Sequence, residues 1–526
     1  MAKLAHCITQ IMLSRRTFIL FSALLIGYSV IGMYLMYVPG GGDYWEHLAA
    51  INSFSSNPAN PPNPYILTDK PTHLFTPFHL FWGVVSKLLN IHAFWLFPAI
   101  AGANALLFIA SLRVFCRSIF RNESYALLFA LTLLFFWIRP WAWSGFYNFG
   151  LIPLTLIYPY WFALPIALFT IANYAEQETE GWNLKTWLNH GLTCLSVGIV
   201  FVVHPLTGSF LCLSLCIKAI TAQHKPTLNT IIRLAVPVIG LALSMTWPYF
   251  PVLSSLLGSG SFSDLGFAGE WLEFYNKAGL RILPAFIGLP FIILQLTRKP
   301  FSFIPLTMVA VVSIYAINYA VLHNPALSRY IIFIAFCGHA GVIFSLIHLE
   351  KHPLYNLAVT GITCTALFFS VPEIATSVWR VGPVIDLVKG IPPEGPRSNT
   401  AVFLRYSALN KYIGGNDVVM APIPDSWQMA GITGCRVVGV LNSNPFMMDY
   451  FERKAATEKF FSADTSDTDR FAILSDYSAN YLFVPTCHAS IVSNFSARLE
   501  LVYQDNESSL YAVKPQKSEP ASRSID

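Results

Sequence analysis

Two carboxylates and an imidazole stand at helical spacing early in the chain, Asp43, Glu46 and His47, immediately after three glycines at 40–42. At i, i+3 and i+4 they share one face of a helix, with Tyr44, Leu48 and Ile51 on another. A carboxylate held there can take the proton from an attacking hydroxyl, and Asp43 with His47 supplies two ligands of a divalent cation but not a complete site. The plainer alternative is a helix whose dipole favours Asp43 at its N-terminus, with Glu46 and His47 as the wet side. Other ionisable candidates are His204, Arg281 and Arg329 at the ends of apolar blocks, and Asp264, Glu270 and Glu273 in a polar stretch. Arg139, Trp141, Trp143 and Tyr147 form an aromatic patch that either anchors an interface or stacks on a sugar ring.

The elements that must position these groups are membrane helices. Of the 526 residues 54% are hydrophobic and only 12% charged, outside the range of a soluble domain. The apolar residues fall in blocks of roughly 20, the length that crosses hydrocarbon as a helix. The first block, 17–38, follows Arg15 and Arg16 and lacks a small-residue cleavage site, so it reads as a retained span. Further spans are expected near 93–113, 123–138, 156–174, 188–203, 206–222, 230–252, 279–297, 302–322, 330–349 and 354–371, about eleven in all. The two short blocks around His204 and Pro205 have a re-entrant hairpin as their alternative.

Lys and Arg set the expected orientation. Lys3, Arg15 and Arg16 place the N-terminus inside. Were 75–91 a span, Arg113, Arg117 and Arg121 would emerge outside, so 75–91 is assigned to an amphipathic helix on the outer surface. Residues 60 and 450 are then outside and 180 inside. The net charge of +5 is accounted for by inner loops and implies no nucleic-acid partner.

The expected division is a membrane domain over 1–371 with an outer loop at 39–92, an outer soluble domain over 372–515 and a disordered tail over 516–526. The fold class is thus a polytopic α-helical membrane protein with a C-terminal soluble α/β domain on the outer, periplasmic side. Strands are expected at 417–421, 436–441, 481–485, 499–503 and 509–513, and helices at 401–413, 445–461 and 467–477. That alternation predicts a small, mostly parallel sheet. No glycine-rich phosphate motif opens any of these helices. Cys435 and Cys487 lie in this domain, and spacing leaves open whether they form a disulfide.

This layout resembles the GT-C superfamily of polyprenyl-phosphate-sugar-dependent glycosyltransferases, which includes protein O-mannosyltransferases, oligosaccharyltransferase catalytic subunits and the aminoarabinose transferase of lipid A. The resemblance covers nearly the whole chain. It lies in Asp43 just after the first span, a long outer loop with juxtamembrane helices and the segment Lys70, Pro71, Thr72, His73, a following span ending in Arg-rich sequence, and the C-terminal α/β domain. It implies an inverting transferase in the inner (plasma) membrane that moves a sugar from a polyprenyl-phosphate donor to a glycan, lipid or protein acceptor on the outer face. Asp43 is then the catalytic base or acceptor organiser, with Glu46 and His47 beside it. Glu46 departs from the adjacent Asp-Glu pair of some members. Arg329, with Arg281 second, is matched to the donor phosphate, and His204, Tyr147 and His73 to the cavity. No cofactor is required, and a divalent cation stays open. The alternatives are a transporter or flippase of lipid-linked glycans, which the lack of an internal repeat disfavours, and a non-catalytic membrane scaffold.

Overall fold

The computed structural model describes residues 2–35, 43–65, 71–139, 141, 145–176, 183–221, 228–257, 270–299, 302–388, 399–440, 447, 449–492 and 498–514. The helices that matter below are α1 (Arg15–Leu35), α2 (Tyr44–Ser56), α3 (Pro77–Leu89), α4 (Ala93–Ile119), α5 (Leu184–Val203), α6 (Pro205–Thr221), α7 (Leu228–Ser244), α8 (Ile331–Leu349), α9 (Tyr355–Val388) and α10 (Ile423–Thr433). The chain separates into two units with interleaved sequence. One comprises Met1–Tyr37, Thr76–Phe78 and Leu96–Ser398, and the other Val38–Phe75, His79–Trp95 and Asn399–Asp526.

The first unit is a helical membrane body. Among the described residues six helices are long and apolar enough to cross a membrane, and four shorter apolar segments accompany them. Two expected spans differ. Over 123–138 the continuous helix is only Ala126–Phe135, about 15 Å of rise. Over 279–297 the chain breaks into Ala278–Arg281, a 3-10 turn Leu283–Gly288 and Leu289–Arg298, because Pro284 and Pro290 permit a helix to start but not to continue through them. A short helix, Ala2–Met12, which the sequence reading did not assign, precedes α1. The last span also runs past its expected end at 371, since α9 continues to Val388.

Helices α5 and α7 pack at Gly198 and Gly240. A Cβ on Gly240 would fall 2.6 Å from Val197 Cβ, so the contact requires the missing side chain, the usual way membrane helices gain close packing. Buried Arg233 on α7 donates from Nη2 to Tyr174 O (2.8 Å), and Tyr174 Oη donates to Arg233 O (2.7 Å). Each thereby satisfies a polar group that lipid would leave stranded.

The second unit joins the loop after the first span to the C-terminal domain. Its sheet has the order β2-β1-β3-β5-β4, with β1 Val418–Met420, β2 Arg436–Val437, β3 Tyr481–Pro485, β4 Leu499–Gln504 and β5 Ser508–Val513. β2-β1-β3 are parallel, and β3-β5-β4 antiparallel. The sheet is therefore mixed, not mostly parallel, because Asp505 closes a tight hairpin between β4 and β5 by accepting from the Ser508 amide (2.7 Å). α10, absent from the sequence reading, is the crossover between β1 and β2. The parallel ladder requires such a connection. Cys435 is buried and Cys487 exposed, and both are free thiols.

Loop and domain share one core. Gly431 of α10 lies against α2, where an added Cβ would sit 2.8 Å from Trp45 O. Asn52 Nδ2 donates to Gly431 O (2.7 Å), and the Val437 amide donates to Pro64 O (3.3 Å) beside β2. Phe94 stacks on Phe403 at 4.3 Å.

Candidate active site

The residues singled out in the sequence divide between the two units. In the second, Asp43 is the half-buried N-cap residue of α2, and its side chain makes no capping hydrogen bond. Its carbonyl accepts from the His47 amide at 2.9 Å. The wet-side alternative for Glu46 and His47 does not hold, since they are 9% and 6% exposed. α2 buries ten of its thirteen residues, because α10 covers the face that a surface helix would give to water.

Both carboxylates act on the Tyr65 phenol. Burial first, then the negative fields of Glu46 and Asp43, push its pKa well above the usual tyrosine value. Tyr65 Oη donates to Trp45 O at 3.4 Å, so the hydroxyl stays protonated beside the acids. On the same helix, His47 Nδ1 lies 2.9 Å from His79 Nε2. Burial, with a smaller contribution from nearby His73, pushes His47 down to about 3, and burial, with the fields of His47 and His73, lowers His79 as well. The cluster therefore consists of acids that can accept a proton and imidazoles held neutral. His79 and Tyr65 were not singled out in the sequence. The available signal for His79 was an imidazole inside the apolar stretch 75–91, where an ionisable group needs a partner.

Among the described residues no group of three or more His, Cys, Asp or Glu is arranged to hold a metal ion, and His47 Nδ1 is engaged by His79.

In the first unit, Arg329 follows the short helix Pro325–Ser328, and its guanidinium lies 5.5 Å from the Phe274 ring centroid. Arg281 lies 4.5 Å over the Trp141 ring. Phe146 bridges the two, stacked on Trp141 at 5.1 Å and parallel to Phe274 at 6.1 Å. Two guanidiniums thus flank one aromatic slab, each held there by cation–π attraction. Trp141 is fixed by its indole N–H donating to Glu273 O (3.2 Å). Lys70, Trp143, Asp264 and the Glu270 side chain lie outside the described residues.

His204 breaks the chain between α5 and α6. Its Nδ1 accepts from the Thr207 amide at 3.2 Å, capping α6 and leaving the ring proton on Nε2. The Arg329 charge acts on this imidazole, and the Tyr160 ring meets it edge-on at 5.2 Å. Tyr160 lies close enough to Tyr147 to act on it electrostatically. The Tyr147 hydroxyl is already used, donating to Ile332 O at 2.7 Å, so the expected aromatic patch is here a buried brace. Tyr160, which the sequence did not mark, is 2% exposed, and its hydroxyl has no hydrogen-bond partner among the described residues.

No protein-family model matches the sequence, and no curated protein matches it. Solved structures do. The oligosaccharyltransferase of Archaeoglobus fulgidus in complex with Zn and sulfate is 11% identical, with TM-score 0.52, 94% of this chain and 73% of that one being covered. ArnT from Cupriavidus metallidurans bound to undecaprenyl phosphate is 11% identical, also with TM-score 0.52, over 95% of this chain and 98% of that one. The chain has the GT-C fold.

That GT-C fold accounts for the layout seen here: a multi-pass helical body, a loop after the first span carrying acidic residues, and a C-terminal domain with a small sheet. At 11% identity the likeness extends to the fold alone. Which side chains of a GT-C body perform chemistry has to be argued from this chain's own geometry.

Proposed function

We propose that the chain is a membrane glycosyltransferase that moves a sugar from a polyprenyl-phosphate carrier to a hydroxyl of a glycan, lipid or protein acceptor on the outer face of the membrane. The observation that carries this reading is the pair Arg281 and Arg329 on the Trp141–Phe146–Phe274 slab. Cations held on aromatic faces in a membrane body suit a phosphate attached to a lipid tail. ArnT, the structural neighbour bound to undecaprenyl phosphate, belongs to the same fold and supports that class of donor.

In this reaction the acceptor oxygen bonds to the anomeric carbon while the bond from that carbon to the phosphate oxygen breaks, with inversion. Polyprenyl phosphate leaves with the electron pair, and its charge is balanced by Arg329 and Arg281. The acceptor proton passes to the carboxylate of Asp43 at the start of α2. Glu46 and His47 position that carboxylate, and His204 and Tyr160 shape the donor side.

Full-length protein in liposomes, given a panel of polyprenyl-phosphate sugars, tests the reading through release of free polyprenyl phosphate. Wild type should release it only when acceptor is present, and Arg329→Gln should raise the donor KM about tenfold or more, the usual scale for one charge-assisted contact. Unchanged donor use by both Arg329→Gln and Arg281→Gln would remove the phosphate assignment.

A further inference from the structure

A cavity of about 470 Å³ opens between α1 and α4, lined by Phe18, Leu106, Ile109, Ala110 and Val114 on its apolar wall and closed at one end by Arg113 and Arg117. The two helices meet at their other ends, where a Cβ on Gly102 would lie 3.3 Å from Val30 Cγ2, so they splay toward the arginines. Ser22 also lines the space, but its hydroxyl donates to Phe18 O at 2.7 Å, leaving that wall effectively apolar.

The charged end is unbalanced. Arg113 is bound to Glu123, Nη2 to Oε1 at 2.6 Å and Nε to Oε2 at 3.1 Å. The same carboxylate lies within the electrostatic reach of Arg117 and Arg15, neither of which has an ion pair of its own among the described residues. Three guanidiniums therefore share one carboxylate at the mouth of an apolar groove, and Arg15 and Arg117 are exposed. From this geometry we infer a binding site for one anionic phospholipid, its phosphate between Arg15 and Arg117 and an acyl chain along Phe18, Leu106 and Ala110.

The occupant follows from charge and depth. Arginines gather at the inner ends of spans, and the inner leaflet supplies anionic headgroups that basic pockets between helices retain. A zwitterionic headgroup would bring its own cation against Arg15 and Arg117 and lose the advantage. The site is separate from the aromatic slab of Arg281 and Arg329, and it does not depend on the transfer reaction.

Native mass spectrometry of the full-length protein in neutral detergent tests the inference, with phosphatidylglycerol, chain-matched phosphatidylcholine and a polyprenyl phosphate titrated in parallel. Wild type should retain phosphatidylglycerol in preference to phosphatidylcholine. Each interfacial arginine is worth about fivefold, so Arg15→Gln with Arg117→Gln should weaken phosphatidylglycerol on the order of 25-fold and leave phosphatidylcholine unchanged. Ala110→Phe keeps every charge and fills the groove, and it should weaken phosphatidylglycerol as well. Equal binding of the two phospholipids, or full retention by the double variant, overturns the site. Displacement of phosphatidylglycerol by polyprenyl phosphate with the same arginine dependence overturns the phospholipid assignment and gives the groove to the carrier. Should the double variant fail to assemble, Ala110→Phe decides alone, unchanged phosphatidylglycerol affinity being the contrary result.

Discussion

His47 Nδ1 and His79 Nε2 face each other at 2.9 Å, with their rings stacked at 5.1 Å and both side chains buried. A hydrogen bond between two ring nitrogens needs one N–H and one lone pair, so the facing atoms hold a single proton. The pair joins α2, which carries the acids, to α3, and it is lost once both rings are protonated, when neither facing nitrogen keeps a lone pair.

Acid should therefore weaken the fold through this pair. Burial, with a smaller contribution from His73, takes His47 from its ordinary 6.5 to about 3, so between those values the unfolded chain binds more protons than the folded one. Stability then rises with pH across this window and is lost on acidification, by up to ~1.4 kcal/mol per pH unit for each histidine. Thermal melts from pH 7.5 to 4.5 should show that slope, and His47→Gln should flatten it by about one proton. An identical acid slope in the variant would place the sensitivity elsewhere.

Asp43→Asn separates base from cap. Losing a general base costs about 10²- to 10⁴-fold in rate. A cap contribution of about 1 kcal/mol is not at stake, since the carboxylate makes no capping bond. Normal membrane abundance with nearly abolished transfer is the expected outcome. Wild-type turnover at equal abundance would end the proposed role.

Tyr160→Phe distinguishes donor recognition from packing by the sign of two measurements. An unpartnered buried hydroxyl costs about 1–3 kcal/mol, so removing it should keep or raise the melting temperature. Turnover should nevertheless fall several-fold if the hydroxyl binds substrate. A variant that is both more stable and fully active would make the hydroxyl a packing defect without function.

Gly431→Ala sets two effects against each other. Alanine improves helix propensity by about 1 kcal/mol, yet its Cβ would stand 2.8 Å from Trp45 O, and overpacking against backbone costs about 1–3 kcal/mol. The clash should win, lowering the melting temperature and exposing α2 to limited proteolysis. A stabilised variant would show that α2 and α10 can separate cheaply.

Part of this protein is written locally in its sequence. Apolar blocks about 20 residues long declared the membrane body without reference to any partner, and alternating β-branched runs marked all five strands, 481–485 to the residue. Asp43, Glu46 and His47 were legible as a group for the same reason, since helical spacing is a local property. What the tertiary structure decided depends on contacts between distant segments. α10 lies outside the local pattern because Pro422, Pro424 and Gly431 are residue types that disfavour a helix interior, although the prolines start the helix and the glycine permits the approach of Trp45. The burial of Glu46 and His47, the pairing of His47 with His79 and the meeting of Arg281 and Arg329 on one aromatic slab join residues 32 or more positions apart. Periodicity reports which face of an element is apolar, but only packing determines what covers that face, and burial in turn sets which protons the buried groups can hold.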